Sequence, residues 1–389
     1  MTTTSLTVHG IFSLRAPTHI SAPENYHAEI VEGYVRAKPG KTPQGKEAMA
    51  CTATQHREFL TAANAERFPF IAANNVAGRM RREAASLVME ALRKKNQKIS
   101  LGSYSILTCG AASSSPDMED VSYAEYKRAM NHPYLGLVGG GPKMIKRNMQ
   151  VFDVLPCNEF LRDQQFSIAH PHEENCRLAK NGYELTAVAC FKRGDDIRAM
   201  LNVDQMEAMI ENFDDEMRDR AEEMLKDKKG KEEGLKNTVR SSTVTWSSFE
   251  FIKAGADFDF TIKLNKNTDA QIGLFLLSLE NFAQKHIGGQ ARNGLGRFTL
   301  NDVMLVGSGI EIKDVFNNNK LVKTHPSIEK YLKAWDAAAA AMTSEELEEI
   351  LKHESKEEKQ AKNAEKQAKL DAIKATRAAE KAAATQAKA

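Results

Sequence analysis

The stretch that most narrows the fold is His286-Ile-Gly-Gly-Gln-Ala-Arg-Asn-Gly-Leu-Gly-Arg-Phe298, read with its flanks. Before it, Asp269–Lys285 carries an apolar face at helical spacing, and after it Phe298–Val306 reads as a strand. A helix handed to a strand through a glycine-rich turn suits an α+β architecture in which helix and sheet share one core. Gly288, Gly289, Gly294 and Gly296 free the backbone for positive φ and close approach, while Arg292, Asn293 and Arg297 stand between them. Guanidinium forks suit phosphate oxygens, so the loop reads as an anion cradle, best matched to a phosphodiester backbone. Its spacing is neither a Walker A loop nor a dinucleotide fingerprint.

The rest of the chain fits the same architecture. Ser5–Ile20 alternates and is bounded by Pro17 and Pro23, predicting a first strand. Ser21–Arg67 is polar and punctuated by proline and glycine, predicting a long loop or small subdomain. Asn74 and Asn75 predict the N-cap of a helix reaching about Lys95, with Val76, Met80, Ala84, Leu87 and Ala91 as its apolar stripe. Gly78, Arg79 and Arg82 interrupt or flank that stripe. Ser100–Thr108 reads as a strand, and Gly136–Phe152 as a glycine-rich basic segment containing Lys143, Lys146 and Arg147. Thr186–Phe191 predicts a strand, Asp204–Lys229 a charged helix, and Val244–Leu264 two strands around Ala254-Gly255-Ala256. Strand, helix, strand, then strands, helix, strand is the order of a ferredoxin-like or RNA-recognition sandwich.

With a net charge of +2 over 389 residues, a nucleic-acid surface has to be a local patch, not a global field. The five cysteines are scattered without a CxxC pair, which fits a reducing cytoplasm and not a disulfide framework. The first residues lack a charged region followed by an apolar run, so no signal peptide is expected. The most apolar run, Ile272–Leu279, is too short to span a bilayer, so no membrane partner is expected. From Thr343 the composition shifts: a helix start capped by Thr343 gives way to an Ala, Lys, Glu and Gln tail. Residues 343–389 are therefore expected to be a charged helical or disordered tail, dispensable for folding and for ligand binding, behind a domain of residues 1–342.

Several of these segments, in order, resemble the RAMP superfamily of CRISPR-associated proteins. Leu14-Arg-Ala-Pro-Thr-His-Ile20 is similar to that family's first strand and turn. Pro69-Phe-Ile-Ala-Ala-Asn-Asn-Val-Ala-Gly-Arg-Met-Arg-Arg82 resembles its first-helix motif, and Leu135–Val154 its central glycine-rich region. Phe249–Phe260 resembles its strand pair, and the opening loop its C-terminal "GG-x-x-x-x-G-x-G-R" signature. Within the family the likeness is greatest to the type IV version of the backbone subunit. The resemblance implies a modified RNA-recognition palm with a thumb, here placed within 155–245, and an inserted loop at 21–67. It implies copies stacked head to tail on a guide RNA, which pairs with a complementary target DNA strand beside other effector subunits, without a cofactor. Its implied guide contacts are Asn74, Asn75, Gly78, Arg79 and Arg82, with Gly288, Gly289, Arg292, Asn293, Gly294, Gly296 and Arg297. Lys143, Lys146 and Arg147 are read from the sequence either as further nucleic-acid contacts or as charge that solvates a surface.

One departure bears on chemistry. Type III backbone subunits cut target RNA with an aspartate in the loop before the first helix, yet no Asp precedes Asp117 here. Glu24, Glu29, Glu32 and Glu47, with Glu58 and Glu66 nearer the helix, are the carboxylates available there, and a non-cleaving binder is expected. The alternative is a type III-like, metal-dependent endoribonuclease. A guide-processing nuclease would call on His9 or His19. His170, His172 and Cys176, with Cys157, could supply zinc ligands, but their spacing matches no tight site, so no metal is expected. Trp246, Phe249, Phe251, Phe258 and Phe260 alternate as core residues do. Arg36, Lys38, Lys41 and Lys46 are either solvated charge or a guide for a second strand.

Overall fold

Strand β1 (Thr4–Leu14) buries Leu6, Val8, Phe12 and Leu14 and ends three residues before Pro17, short of the expected Ile20. The structure, a computed structural model, describes residues 3–31, 34–39, 49–60, 65–110, 122–141, 144–163, 182–196, 211–215 and 242–352, with 364 and 367–368. Where a loop was expected over Ser21–Arg67, strands form instead: β2 (Ser21–Val31), β3 (Tyr34–Pro39), β4 (Met49–Thr54), β5 (His56–Leu60) and β6 (Ala65–Pro69). Proline and glycine punctuation was read as loop, but Pro23 sits within β2, and strand pairing overrides the local signal.

Helix α1 (Ala73–Arg93) buries Val76, Ala77, Met80, Ala84, Ala85, Val88 and Leu92, so its face is turned slightly from the predicted stripe and leaves Leu87 half-buried. Its N-cap is Ala72 and makes no side-chain cap bond, which corrects the expectation for Asn74 and Asn75. The Asp153 carboxylate caps the helix from a distant segment by accepting from the Ala73 amide at 2.7 Å. The predicted strand at Ser100–Thr108 is a second helix, α2 (Leu101–Cys109), capped by Ser100. A short apolar run such as Ile106-Leu107 does not distinguish strand from helix by periodicity; the cap and the packing of both side chains decide it.

Next come α3 (Tyr123–Asn131), α4 (Pro133–Val138), β7 (Met149–Val151), β8 (Leu155–Pro156) and α5 (Glu159–Asp163). They are followed by β9 (Thr186–Asp196), β10 (Ser242–Ile252), β11 (Asp257–Asn267) and α6 (Asp269–Ala283). The chain then forms β12 (Phe298–Gly307), β13 (Ile310–Ile312), β14 (Phe316–Asn317), β15 (Lys320–Leu321), α7 (Pro326–Ala341) and α8 (Ser344–Leu351).

The fold is α+β, with a main antiparallel sheet ordered β13-β12-β1-β11-β7 and β8 also on β11. A second sheet is ordered β3-β2-β4-β10-β9. The two strands read around Ala254-Gly255-Ala256 therefore do not form a hairpin: β10 joins the second sheet and β11 the first. Helix α6 packs against α1, α4, α7 and strands β11 and β12. Ile272, Leu274, Phe275, Leu276, Leu279 and Phe282 on it are fully buried, each contributing about 1.5–3 kcal/mol of transfer free energy. The C-terminal boundary also moves. Leu347, Ile350 and Leu351 of α8 belong to the main core, so the segment from 343 begins as a packed helix and not as a detached tail. No helix among the described residues is long and apolar enough to cross a membrane.

Candidate nucleic-acid interface

The glycine-rich loop closes on itself and on the segment after β1. His286 bridges Arg297, the Ile287 amide donates to the Gly296 carbonyl at 2.9 Å, and Ile287 is fully buried. Gly288 (φ +80°) and Gly296 (φ +81°) are required by geometry: a Cβ at 288 would collide with the His19 carbonyl, and one at 296 with the Ile287 carbonyl. The amides of Gly289 and Gly296 donate to His19 O and Pro17 O, at 2.8 and 2.9 Å, and the Gly294 amide donates to Ala291 O. Those three amides are thus used inside the protein. The glycines shape the loop and staple it down, leaving anion contact to side chains.

The side chains are placed for it. A 3-10 turn at Ala291–Asn293 lifts Arg292 and Asn293 into solvent, and Arg297 is exposed at the loop's base. Among the described residues neither arginine has a carboxylate partner. Arg15 adds a cation that the sequence reading did not assign: it is exposed, its amide donates to Arg297 O at 2.8 Å, and its Nε donates to Thr299 Oγ1 at 2.9 Å. Its signal in the sequence was an arginine at the end of a strand just before Pro17. Beneath the loop, His19 is buried, with Nδ1 2.6 Å from Glu250 O and Nε2 2.9 Å from Ser21 Oγ, and its ring tilts against Phe249. His9 lies elsewhere, within β1 beside Thr261, and burial, then Lys263, holds its pKa below the ordinary value.

A backbone path joins this loop to α1. Gln55 N donates to Ile20 O, Phe70 N to Gln55 O, and Ile71 pairs with Val154 beside the Asp153 cap. On α1, Asn75, Arg79 and Arg82 fall at i, i+4 and i+7, one face turned away from the core, with Asn74 exposed in the first turn. Gly78 opens that face, for a Cβ there would meet only the tip of Arg82. Burial, and then the neighbouring Arg82 charge, holds the Arg79 guanidinium below its ordinary pKa, with Glu83 opposing. Two close cations that repel one another are a place where an anion is stabilising.

Lys146 and Arg147 are exposed but stand at the other end of the main sheet. They precede Met149, which pairs with Leu264 opposite Leu6, whereas the loop adjoins Leu14. Eight strand residues at about 3.3 Å each separate the two ends, so this pair does not share the loop's surface. Lys143, His170, His172, Cys176, Glu32, Glu47, Lys41, Lys46 and nearly all of the Asp204–Lys229 segment lie outside the described residues. Glu24, Glu29, Arg36 and Lys38 fall on β2 and β3. Among the described residues no cluster of His, Cys, Asp or Glu could hold a metal ion. Phe258 and Phe260 are fully buried and Phe249 is buried, as core residues.

Asp153 is the site residue that linear reading could not find, because it reaches the start of α1 from another segment. It also forms an ion pair with Arg57, whose guanidinium stacks 4.6 Å over Phe70. A carboxylate here opposes a phosphate on the α1 face. Asp153→Asn keeps an oxygen for the Ala73 amide, removes the charge and releases Arg57. It is expected to tighten RNA binding severalfold at low salt, whereas Asp153→Ala loses the cap and about 1 kcal/mol of stability. Filter binding beside thermal melts checks both, and an unchanged affinity in the Asn variant would remove the α1 N-terminus from the RNA path.

No family description matches the chain, and no curated protein matches it. Among solved structures it is similar to a chain of a type IV-B CRISPR complex, with TM-score 0.43 and 13% identity, covering 83% of this chain and 99% of that one. It is also similar to a chain of the type III-B Cmr-beta complex bound to cognate target RNA, with TM-score 0.34 and 10% identity, covering 78% and 61%. With TM-scores below 0.5, neither likeness assigns a function.

Proposed function

We propose that the chain is a non-cleaving, guide-RNA-binding subunit that repeats along the guide to form the backbone of a type IV-like CRISPR ribonucleoprotein. The observation that carries this reading is the exposed Arg15, Arg292, Asn293 and Arg297 set on a loop stapled by glycines and joined by backbone bonds to the Arg79–Arg82 face. Such a rigid, basic ridge suits phosphates in any sequence and leaves discrimination to base pairing. The order of elements supports an RNA-recognition palm. β1, α1, β7, β11, α6 and β12 form a βαββαβ series, and their sheet order β12-β1-β11-β7 is fourth, first, third, second. Helices α2, α3 and α4 stand between α1 and β7, and the insertions between β1 and α1 and between β7 and β11 supply the second sheet, where β4 of the first pairs with β10 of the second. Further copies, other effector subunits and a complementary target DNA strand are the partners of this reading.

The test is to purify the protein from cells and sequence the RNA that comes with it. Repeat-spacer guides are expected, and random RNA would reduce the chain to a generic binder. Incubated with Mg²⁺ and complementary RNA, the loaded assembly is expected to hold the strand uncut. Regular metal-dependent cuts lost in a Glu29→Gln, Glu58→Gln or Glu66→Gln variant would move the protein to the endoribonuclease class.

A further inference from the structure

The backbone accounts for three of the loop's glycines, because Gly288, Gly294 and Gly296 all sit at positive φ. It does not account for Gly289. The φ of Gly289 lies outside the left-handed region, and a Cβ there would meet His19 Cδ2, His19 O and Ser21 Oγ at 3.5, 3.8 and 4.0 Å, all ordinary van der Waals contacts. The fold would tolerate a side chain at this position, and that side chain would stand beside the Ser21 hydroxyl. Glycine leaves the hydroxyl open next to the loop, on a residue that is itself exposed. A side chain missing where folding does not require it marks a place for close approach by another molecule.

The hydroxyl is oriented from below. Glu250 O can only accept, so His19 Nδ1, 2.6 Å away, carries the ring proton. In the neutral ring Nε2 is then a lone pair, and Ser21 Oγ–H donates to it at 2.9 Å. Both residues are held. His19 is 4% exposed, its ring centroid is 5.2 Å from that of Phe249, and its carbonyl accepts from the Gly289 amide. Ser21 pairs with Thr54 in the second sheet, and its carbonyl accepts from Gln55 Nε2 at 3.0 Å. With its hydrogen committed to His19, the Ser21 oxygen offers only lone pairs to a ligand. A phosphate oxygen, which also only accepts, is repelled there, whereas a hydroxyl donor is held.

We propose that Ser21 reads the sugar: its oxygen accepts from the 2′-hydroxyl of a strand lying on the loop, and the protein selects RNA over DNA at this point. The arginines cannot make that distinction, because the phosphodiester is the same in both strands. The inference rests on the RNA-binding reading of the loop and adds to it a residue, outside the loop, that discriminates between sugars.

The test uses the full chain at about pH 8, where imidazole is neutral. The probes are oligouridylate and its 2′-deoxy, 2′-fluoro and 2′-O-methyl forms, titrated by filter binding at one salt concentration. Oligouridylate is expected to bind about three- to tenfold more tightly than each of the others, the contribution of one hydrogen bond. The 2′-fluoro strand keeps the ribose pucker and lacks the donor, which separates hydrogen bonding from strand shape. Ser21→Ala should bring the ratio of ribo to deoxy affinity close to one, and Ser21→Thr, which keeps a hydroxyl, should preserve it. Gly289→Ala should reduce the ratio by placing a methyl beside the hydroxyl. Arg292→Ala should instead weaken all the strands alike and leave the ratio as it is. A wild-type ratio of one, or a ratio unchanged in Ser21→Ala, would overturn the inference and leave the phosphate contacts standing. Strands bound alike, with no response to Arg292→Ala, would overturn the loop as the RNA surface and this inference with it.

Discussion

Replacing Arg79, Arg82, Arg292 and Arg297 together by alanine is expected to weaken single-stranded RNA binding by roughly several hundredfold at 0.1 M salt. Each phosphate neutralised on a single strand contributes about 0.7 to the slope of log K against log salt, so four contacts amount to about 2.8. At 0.1 M the same exponent gives close to three decades of affinity, or roughly 4 kcal/mol. The loss should be uniform across RNA sequences, since phosphate contacts position the strand without reading bases. Stability should scarcely change, for Arg82, Arg292 and Arg297 are exposed and hold no ion pair among the described residues. Arg15→Ala should add a further increment to the slope. Filter binding across a salt series checks the prediction, with melting curves to verify folding; an unchanged slope in a folded quadruple variant would sink the interface.

That interface was legible in the sequence where it rests on local chemistry. Arg292 and Arg297 announce themselves between glycines, and Arg79 and Arg82 follow from helical spacing off an apolar stripe. The purpose of the glycines was not legible. Gly289 and Gly296 look like amide donors for a ligand until the His19 and Pro17 carbonyls are seen to accept from them, some 270 residues away in sequence. Asp153 escaped for the same reason: its cap on α1 exists only once β7 has paired with β11. The strands of the first insertion were hidden because pairing, of β2 with β3 and β4, of β5 with β6 and of β4 with the distant β10, and not residue preference, makes them. Lys146 and Arg147 could be read from the sequence only as a nucleic-acid contact or as solvated charge; the register of β7 puts them at the opposite end of the sheet from the loop.

Ending the chain at Met342 is expected to lower stability by about 3 kcal/mol and the melting temperature by roughly 3–5 °C, whereas ending it at Lys352 should change neither measurably. Composition alone predicts the reverse for the first cut, since Thr343 opens a charged, alanine-rich stretch that lacks a wide apolar face. Helix α8 nevertheless buries Leu347, Ile350 and Leu351, each contributing about 1.5–3 kcal/mol of transfer free energy, and polar contacts at its start add to them. Those contacts are specific. Thr343 Oγ1 accepts from the Glu346 amide at 3.2 Å, and Gln97 Oε1 from the Ser344 amide at 2.9 Å. Lys95 Nζ donates to the carbonyls of Ala339 and Met342, at 2.8 and 2.7 Å, where the end of α7 favours a cation. Glu348 accepts from Ser100 and Ser103; burial raises its pKa, but these bonds outweigh that and hold it below its ordinary 4.5. A carboxylate depressed in the folded state stabilises above its unfolded pKa and loses that contribution as pH falls through the folded one. The gap between the two truncations should therefore be full at neutral pH and narrow below about 4.5. Calorimetry of both truncations at pH 7 and pH 4 checks it. Equal melting temperatures at pH 7 would mean that α8 does not hold the core, and a gap unchanged at pH 4 would mean that Glu348 takes no part in holding it.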